Sequence, residues 1–272
     1  MQHKFQTQPV EYYGHQQTVS KQITYEQPLN ERIRTLLRLE FLFAQASAHT
    51  YRQGNWDNRA AINSLFDIIS TFSRADLKTE VMKELERQAV FLEKLAQNPQ
   101  VDAKRLESVL DEMDVLIDRL HDLKSQDMDI RNNEFLSSIR QRIHVAGGTC
   151  DFDLPAYHFW LSQPEERRIS DMQGWMAPFE PIKQSVNLIL RLIRDSAQTT
   201  NETAEAGFFQ KSFDQNSVCQ MIRVTVAGDI PCFAEISGGK HRFSIRFLQT
   251  AFNERATQVN QNIPFKLTCC ML

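Results

Sequence analysis

The spacing of apolar residues divides the chain into two parts with different periods. Between residues 29 and 200, apolar side chains recur at three- and four-residue steps, the period of amphipathic helices. From Phe208 onwards they alternate with polar side chains, which is the period of half-buried strands. The pattern therefore predicts a mostly helical part followed by a smaller part built from strands.

The helical part is predicted to contain a succession of helices. They span residues 28–51, 55–74, 77–97, 103–124, 131–145, 155–161, 164–175 and 179–197. Asp76 is expected to cap the third helix, because an aspartate side chain accepts hydrogen bonds from the first backbone amides of a helix. Asn98 and Pro99 break the chain after it, so the third and fourth helices are expected to form an antiparallel pair.

The first predicted helix carries an apolar face and a pair of cations. Its apolar face is assigned by spacing to Leu29, Ile33, Leu36, Leu37, Phe41 and Ala44. Arg34 and Arg38 lie four residues apart on another face, where like charges repel by roughly 0.2–0.5 kcal/mol. An acidic group is expected to compensate them. It is either Glu31 or Glu40 of the same helix, which spacing alone favours, or a docked acidic peptide.

The strand part is predicted to form a small antiparallel sheet. Its strands are residues 22–27, 221–226, 232–237, 241–247 and 265–270. Gly238-Gly239 is predicted to make a hairpin turn, because glycine accepts the positive φ that tight hairpins require. The polar run 199–207 is predicted to be a linker. The early strand is expected to join the sheet, where its backbone groups are paired.

These elements predict an α+β fold, with a mostly helical domain of antiparallel helices and a smaller antiparallel β-sheet domain. Residues 1–21 lack periodicity and are predicted to be a flexible extension. Residues 22–28 are the strand that joins the β domain. The α-helical domain is then residues 29–200, and the β-strand domain is residues 201–272.

The strand 241–247 is predicted to have one apolar face and one basic face. Its apolar face, expected to pack against the helices, holds Phe243, Ile245 and Phe247. Its other face holds Ser244 and the cations Lys240, Arg242 and Arg246. Three cations without an acid on one face leave two equal interpretations: an anion-binding surface and an ordinary solvated face.

Composition and charge narrow the class of protein. The 272 residues are 42% hydrophobic and 24% charged, which excludes general disorder. The net charge of −3 disfavours a general nucleic-acid binder. No apolar run reaches the roughly 18 residues of a membrane span, and the first residues lack the apolar core of a signal peptide. We therefore expect a soluble, intracellular protein without membrane insertion.

The cysteines do not form a recognisable framework. There are five of them and no CxxC pair, so neither a disulfide scaffold nor a zinc site is predicted. The last four residues match the prenylation pattern formally. No polybasic segment precedes them, and the alternation of FKLTCC predicts that Cys269 faces inward with Phe265 and Leu267.

No motif indicates catalysis, a metal or a cofactor. The segment SGGKH is not a phosphate loop, because Ala234 stands where the first glycine is required and His241 follows the lysine. His158 lies near Asp151 and Asp153 without a nucleophile motif. Glu84 is predicted to be a solvated helix charge. We therefore predict no catalytic residue, no metal ligand and no cofactor.

Several long strings resemble one protein family. They are PLNERIRTLLRLEFL, KTEVMKELERQ, IRQRI followed by GGTCDFDLPAYHFWL, ISGGKHRFSIRF and the final LTCC, in the order the family has them. They resemble the Z-ring-associated protein D (ZapD) family of bacterial cell-division factors, and the resemblance extends from about Ile23 to Cys270.

The resemblance implies a cytoplasmic, non-enzymatic homodimer concentrated at the mid-cell division site. Such a protein binds the C-terminal tail of FtsZ, the tubulin-like GTPase of the division ring. It bundles FtsZ protofilaments, stabilises the Z-ring and lowers FtsZ GTPase activity. The alternative is a module that binds single-stranded nucleic acid through the basic face of the sheet.

The resemblance also implies a basic docking surface for the FtsZ tail. Carried over string by string, its residues are Arg34, Arg38, Arg74 and His158, with Lys240, Arg242 and Arg246 from the sheet. One position departs from the family. Glu134 stands where the family has an arginine, and Arg131 one turn earlier is a candidate replacement.

Overall fold

The computed structural model describes residues 22–52, 54–72, 76–99, 101–124, 133–213, 218–239, 241–251 and 253–271. These residues form two compact units. One is built mainly from the helices within Pro28–Gln198, and the other from the strands within Thr199–Ser212 and Arg223–Thr268 together with the early strand. The predicted α+β class is confirmed. The predicted flexible extension, residues 1–21, lies outside the described residues.

The helices predicted from apolar spacing are all present, with slightly different ends. They are α1 Glu31–Thr50, α2 Asn55–Phe72, α3 Leu77–Leu95, α4 Ala103–Asp122, α5 Glu134–Arg142, α6 Pro155–Leu161, α7 Glu165–Met176 and α8 Glu180–Asp195. The predicted antiparallel pairing of α3 and α4 is confirmed, because Lys78 near the start of α3 donates to the carbonyl of Leu123 just after the end of α4. Helix α8 packs against α1, α3 and α4, and its buried side chains contribute to the core of the helical unit.

Helix α1 begins at a capped end and buries one face. The Asn30 side-chain oxygen accepts a hydrogen bond from the backbone amide of Ile33 at 2.9 Å, which satisfies one of the exposed amides of the first turn. The buried face consists of Ile33, Leu36, Leu39, Phe43, Ala46 and Thr50. The prediction that Phe41 and Ala44 share this face is wrong, because both are exposed. At about 100° per residue, Phe41 lies opposite the centre of the buried face.

Helix α3 contains a buried carboxylate where a solvated one was predicted. The Glu84 side chain has 0% exposure. Its oxygens accept from the Arg87 guanidinium at 2.6 and 2.9 Å and from the Gln88 amide at 2.9 Å. Arg32 of α1 adds a guanidinium nitrogen at 2.9 Å. The prediction is wrong because cations from two helices, α1 and α3, offset the desolvation of the carboxylate.

The strands form two sheets. They are β1 Gln22–Pro28, β2 Thr199–Ala204, β3 Phe208–Ser212, β4 Met221–Ala227, β5 Phe233–Gly238, β6 Arg242–Gln249, β7 Thr257–Gln258 and β8 Ile263–Cys270. One sheet has the order β1-β4-β8-β2, and the other has the order β3-β6-β5 with β7 also paired to β6. The expectation that the early strand joins a sheet is confirmed.

Two sequence predictions about these sheets are wrong. The apolar face of β6 packs against the other sheet rather than against helices, since the ring of Phe247 lies 5.3 Å from that of Phe265 on β8. Residues 199–204 are strand β2 and not a linker, because they pair antiparallel with β8 from Thr199↔Thr268 to Ala204↔Ile263. The strand unit therefore contains an aromatic core of its own.

The turn between β2 and β3 depends on a glycine that the sequence did not single out. Gly207 has φ +72, and a Cβ atom there would lie 2.5 Å from the Val259 carbonyl oxygen. The predicted hairpin between β5 and β6 is confirmed, with Gly238 opposite Phe243. Neither Gly238 nor Gly239 has a positive φ, however, so the predicted reason for glycine at that turn is wrong.

The end of β8 departs from strict alternation. Leu267 and Thr268 are both buried, Cys269 is half-buried and Cys270 is fully buried. The prediction that Cys269 is the inward cysteine is therefore wrong. Cys270 belongs to the core of the helical unit, so the last residues of β8 pack in a different environment from the rest of the strand.

Candidate partner-binding surface

The two arginines of the first helix lie on the side of α1 that faces away from the core. With about 100° per residue, Arg34, Arg38, Phe41, Gln45 and Ala48 fall within a stripe opposite the buried residues. All five are half-buried or exposed. We call this stripe the α1 outer face. It combines two cations with one large aromatic ring.

Among the described residues, Arg34 has one weak ion-pair partner. Its Nε lies 3.1 Å from an oxygen of Glu31, and the two side chains have 39% and 82% exposure. The Nε atom itself is buried and has no hydrogen-bond partner among the described residues, so a ligand would have to approach the rest of the guanidinium group. Exposed ion pairs of this kind contribute roughly 0–1 kcal/mol. Arg34 is therefore available to exchange Glu31 for another carboxylate at little cost.

Arg38 is exposed, and within the described residues it makes no ion pair. Of the two internal acids that spacing allows, Glu31 and Glu40, the second is bound by another residue. The two carboxylate oxygens of Glu40 accept from the two terminal nitrogens of Arg194 on α8, at 2.6 and 2.7 Å. A bidentate pair of this geometry is strong and directional. Glu40 therefore ties α1 to α8 and leaves the charge of Arg38 directed to solvent.

His158 lies on α6 and already has an acidic neighbour, Asp151, in its own unit. Its Nδ1 is 3.0 Å from an oxygen of Asp151, with exposures of 55% and 63% for the two side chains. Asp151 also lies 3.9 Å from the Arg59 guanidinium. Arg59 donates to the Thr149 carbonyl at 2.9 Å and stacks on the Tyr157 ring at 4.7 Å. Arg59, which belongs to α2, thus holds the turn that contains Thr149 and Asp151 against that helix.

The structure does not bring His158 next to the paired arginines. Helices α1 and α2 pack together, and a 2.8 Å contact between His49 and Asp57 sets His49 level with Asp57. Arg59, beside the His158 cluster, is then level with the last turn of α1. At 1.5 Å per residue this is about 14 Å along the axis from Arg38 and about 20 Å from Arg34.

The predicted basic face of the sheet has mixed charge. Arg242 and Arg246 are exposed on β6 as predicted, opposite the buried face of the strand. The strand register places Glu235 of β5 directly across from Arg246. Cross-strand partners share a face of the sheet. The all-cation surface on which the nucleic-acid alternative depended is therefore not present among the described residues.

Two of the predicted site residues, Arg74 and Lys240, lie outside the described residues, as does Arg131. The residue of the α1 outer face that sequence reasoning misplaced is Phe41. It stands seven residues after Arg34, close to two full turns of helix. Its position around the helix axis, counted from Arg34 and Arg38 and not from Leu37, places Phe41 on the same face as the arginines.

The described residues contain no group of three or more histidine, cysteine, aspartate or glutamate side chains placed to hold a metal ion. No helix among them is long and apolar enough to cross a membrane. The described part of the chain does have exposed arginine side chains, which are suited to bind anionic groups. Exposed guanidinium groups bind carboxylates, and their planar shape permits two parallel hydrogen bonds.

Comparison with known proteins finds one family. A family model named ZapD and described as a cell division protein matches residues 37–246. Among similar proteins, "Cell division protein ZapD" of Methylococcus capsulatus is 43% identical over 93% of this chain and 100% of its own length. Proteins of the same name from Nitrosomonas europaea and Coxiella burnetii are 36% and 38% identical, over 92% and 93% of this chain and 95% and 100% of their own lengths.

Proposed function

The chain belongs to the ZapD family of cell division proteins, and from that premise we propose that it is a non-enzymatic factor that binds the C-terminal tail of FtsZ. In this proposal it acts in the cytoplasm as a homodimer and reaches mid-cell through FtsZ. It crosslinks and bundles FtsZ protofilaments, stabilises the Z-ring and lowers FtsZ GTPase activity.

The observation that carries the proposal is the charge of the α1 outer face. Arg38 is exposed with no ion pair within the described residues, and Arg34 has only the solvent-exposed Glu31. The nearby Glu40 is bound by Arg194. Two adjacent cations whose one internal acid within the described residues is the exposed Glu31 favour an acidic ligand, since arginine forms directional pairs with carboxylates.

The other predicted site residues are proposed to make secondary contacts with the tail. The axial offset of about 20 Å between Arg34 and the level of Arg59 corresponds to about six residues of an extended peptide at 3.3 Å each. The His158 imidazole already contacts Asp151. We therefore propose that Arg34 and Arg38 provide the primary contact and that His158 contacts a more distant part of the tail. Arg74, Lys240, Arg242 and Arg246 stay candidates for secondary contacts.

Bundling follows from two copies of the site in one particle. A homodimer with twofold symmetry presents the same surface twice, so it holds two filaments at once. Attachment at both sites raises the overall avidity above that of one site, because the second binding event is intramolecular. A single site per particle would decorate filaments without joining them.

A binding assay with a charge-matched control tests the proposed site. We expect Arg38→Glu to weaken binding of a labelled FtsZ C-terminal tail peptide by more than tenfold, because it replaces attraction by repulsion of the acidic ligand. Arg105→Glu makes the same charge change on an exposed position of α4 and is expected to bind within about twofold of wild type. Fluorescence anisotropy at low and moderate salt measures both.

Equal weakening by the two substitutions would show that only net charge matters. Wild-type binding by Arg38→Glu, in a protein with an unchanged circular dichroism spectrum, would contradict a docking role for the α1 outer face.

A further inference from the structure

Phe41 is an exposed aromatic ring next to the two cations of the α1 outer face. Its side chain has 65% exposure. Leu37 and Leu42, on either side of it in α1, pack against the helical core. Water contact with most of a phenyl ring is unfavourable by roughly 25 cal/mol per Å² of apolar surface. A single exposed apolar side chain is ordinary on a protein surface, so it is the position of Phe41 beside the two cations that distinguishes it.

Phe41 is close to both arginines of the α1 outer face. Arg38 is three residues before it, a spacing that puts Cβ atoms about 5–6 Å apart on a helix. Arg34 is seven residues before it, about 10.5 Å along the axis. The face therefore presents a cation, a second cation and an aromatic ring in one line.

We propose that Phe41 is the apolar specificity contact for the same acidic peptide that Arg38 binds. This inference rests on the proposed function and names what the peptide must carry besides its charge. The occupant is an extended acidic segment with an apolar side chain that covers the Phe41 ring. Charge complementarity supports this occupant, since Glu40 is bound to Arg194 and no acid other than Glu31 pairs with the two arginines within the described residues.

The spacing of an extended peptide fits the surface. Side chains at alternate positions of an extended chain lie on one side, about 6.6 Å apart. That distance matches the separation of Arg38 and Phe41 on the helix. A carboxylate and an apolar side chain two residues apart in the peptide therefore meet the guanidinium and the ring together.

The expected effect of removing the ring follows from the apolar area it offers. Burying a large part of a phenylalanine side chain contributes roughly the free energy of a tenfold change in affinity. We expect Phe41→Ala to weaken binding of the tail peptide about tenfold and Phe41→Leu about threefold. Phe91→Ala, which removes another exposed phenylalanine from α3, is the matched control and is expected to change affinity less than twofold.

Salt concentration separates the apolar contact from the ionic one. The experiment measures the anisotropy of a labelled FtsZ C-terminal tail peptide with the full-length chain at about 50 and 300 mM salt. The ratio of affinities between wild type and Phe41→Ala should stay constant, whereas the ratio between wild type and Arg38→Ala should shrink at high salt. Circular dichroism and thermal unfolding check that each variant is folded.

The possible results separate the role of Phe41 from the proposed binding of the FtsZ tail. Loss of binding in Arg38→Glu together with an unchanged affinity in a folded Phe41→Ala overturns the role of Phe41 and leaves the docking surface in place. Failure of the wild-type chain to bind the tail peptide at any salt concentration overturns the proposed function and this inference with it. Equal effects of Phe41→Ala and Phe91→Ala overturn the assignment as well.

Discussion

Tyr157 shows how a single buried group near the His158 cluster makes stability depend on pH. Its ring is buried, and burial raises the pKa of its hydroxyl from 10.0 to about 12, although the Arg59 guanidinium acts in the opposite direction. The unfolded chain loses this proton near pH 10 and the folded chain only near pH 12. The contribution to the free energy of unfolding is therefore complete below pH 10 and is lost between pH 10 and 12.

We expect wild type to lose about 1.4 kcal/mol more stability than Tyr157→Phe between pH 9 and 11. Urea unfolding of the two proteins at both values measures this, and the comparison cancels the titration of every other group. An equal loss in the two proteins would mean that the Tyr157 hydroxyl titrates normally in the folded state.

At this scale the sequence predicted side-chain chemistry better than side-chain partners. The spacing of Arg34 and Arg38 identifies them as adjacent like charges that need a compensating acid. Glu40, which could have paired with these arginines, is instead bound by Arg194, which is 154 residues further along the chain. No local pattern predicts a contact across that separation. Only the packing of α8 against α1 reveals that Glu40 is unavailable to the arginines.

At the scale of elements, the Glu84 network joins α1 and α3. A buried carboxylate is stabilised only while its cations remain, and removal of a partner leaves an uncompensated charge. We expect the double variant Arg32→Ala/Arg87→Ala to lose roughly 3 kcal/mol of unfolding free energy. This is the lower part of the usual range, because the two guanidinium groups are 41% and 40% exposed.

Adding Glu84→Gln to that double variant should restore most of the lost stability, since a neutral amide needs no ion partner and its oxygen still accepts from the Gln88 amide. Denaturant unfolding of the three proteins measures both steps. A double variant as stable as wild type, or a triple variant less stable than the double, would contradict a network in which the two cations offset one buried charge.

Apolar periodicity predicted the helices and most strands but failed where an element lacks one clear face. Strand β2 lies at the edge of its sheet, and most of its side chains are exposed on both faces. Its sequence TTNETA therefore has no alternation to detect. Phe41 was misplaced for a related reason. Residues three and four positions after Leu37 lie to opposite sides of it around the helix. The direction of the buried face is therefore fixed only by the full set of buried positions.

At the scale of the whole molecule, the sequence predicted one sheet, and the described residues form two. The apolar face of β6 alternates as expected, but alternation does not say which surface covers it. Contacts of Phe209 and Phe247 with Phe265 supply the answer, because the rings belong to strands of different sheets. The division into residues 29–200 and 201–272 stays a prediction, as do the homodimer and the FtsZ partner.

The central claim is that this chain joins FtsZ filaments through their C-terminal tails. Co-sedimentation of polymerised FtsZ at low centrifugal force measures bundling directly, with full-length FtsZ and with FtsZ that lacks the tail. We expect the wild-type chain to shift full-length FtsZ into the pellet and to leave the tail-less filaments in the supernatant, with Arg38→Glu inactive on both. Equal pelleting of FtsZ with and without its tail, or no change in pelleting at all, would contradict the claim.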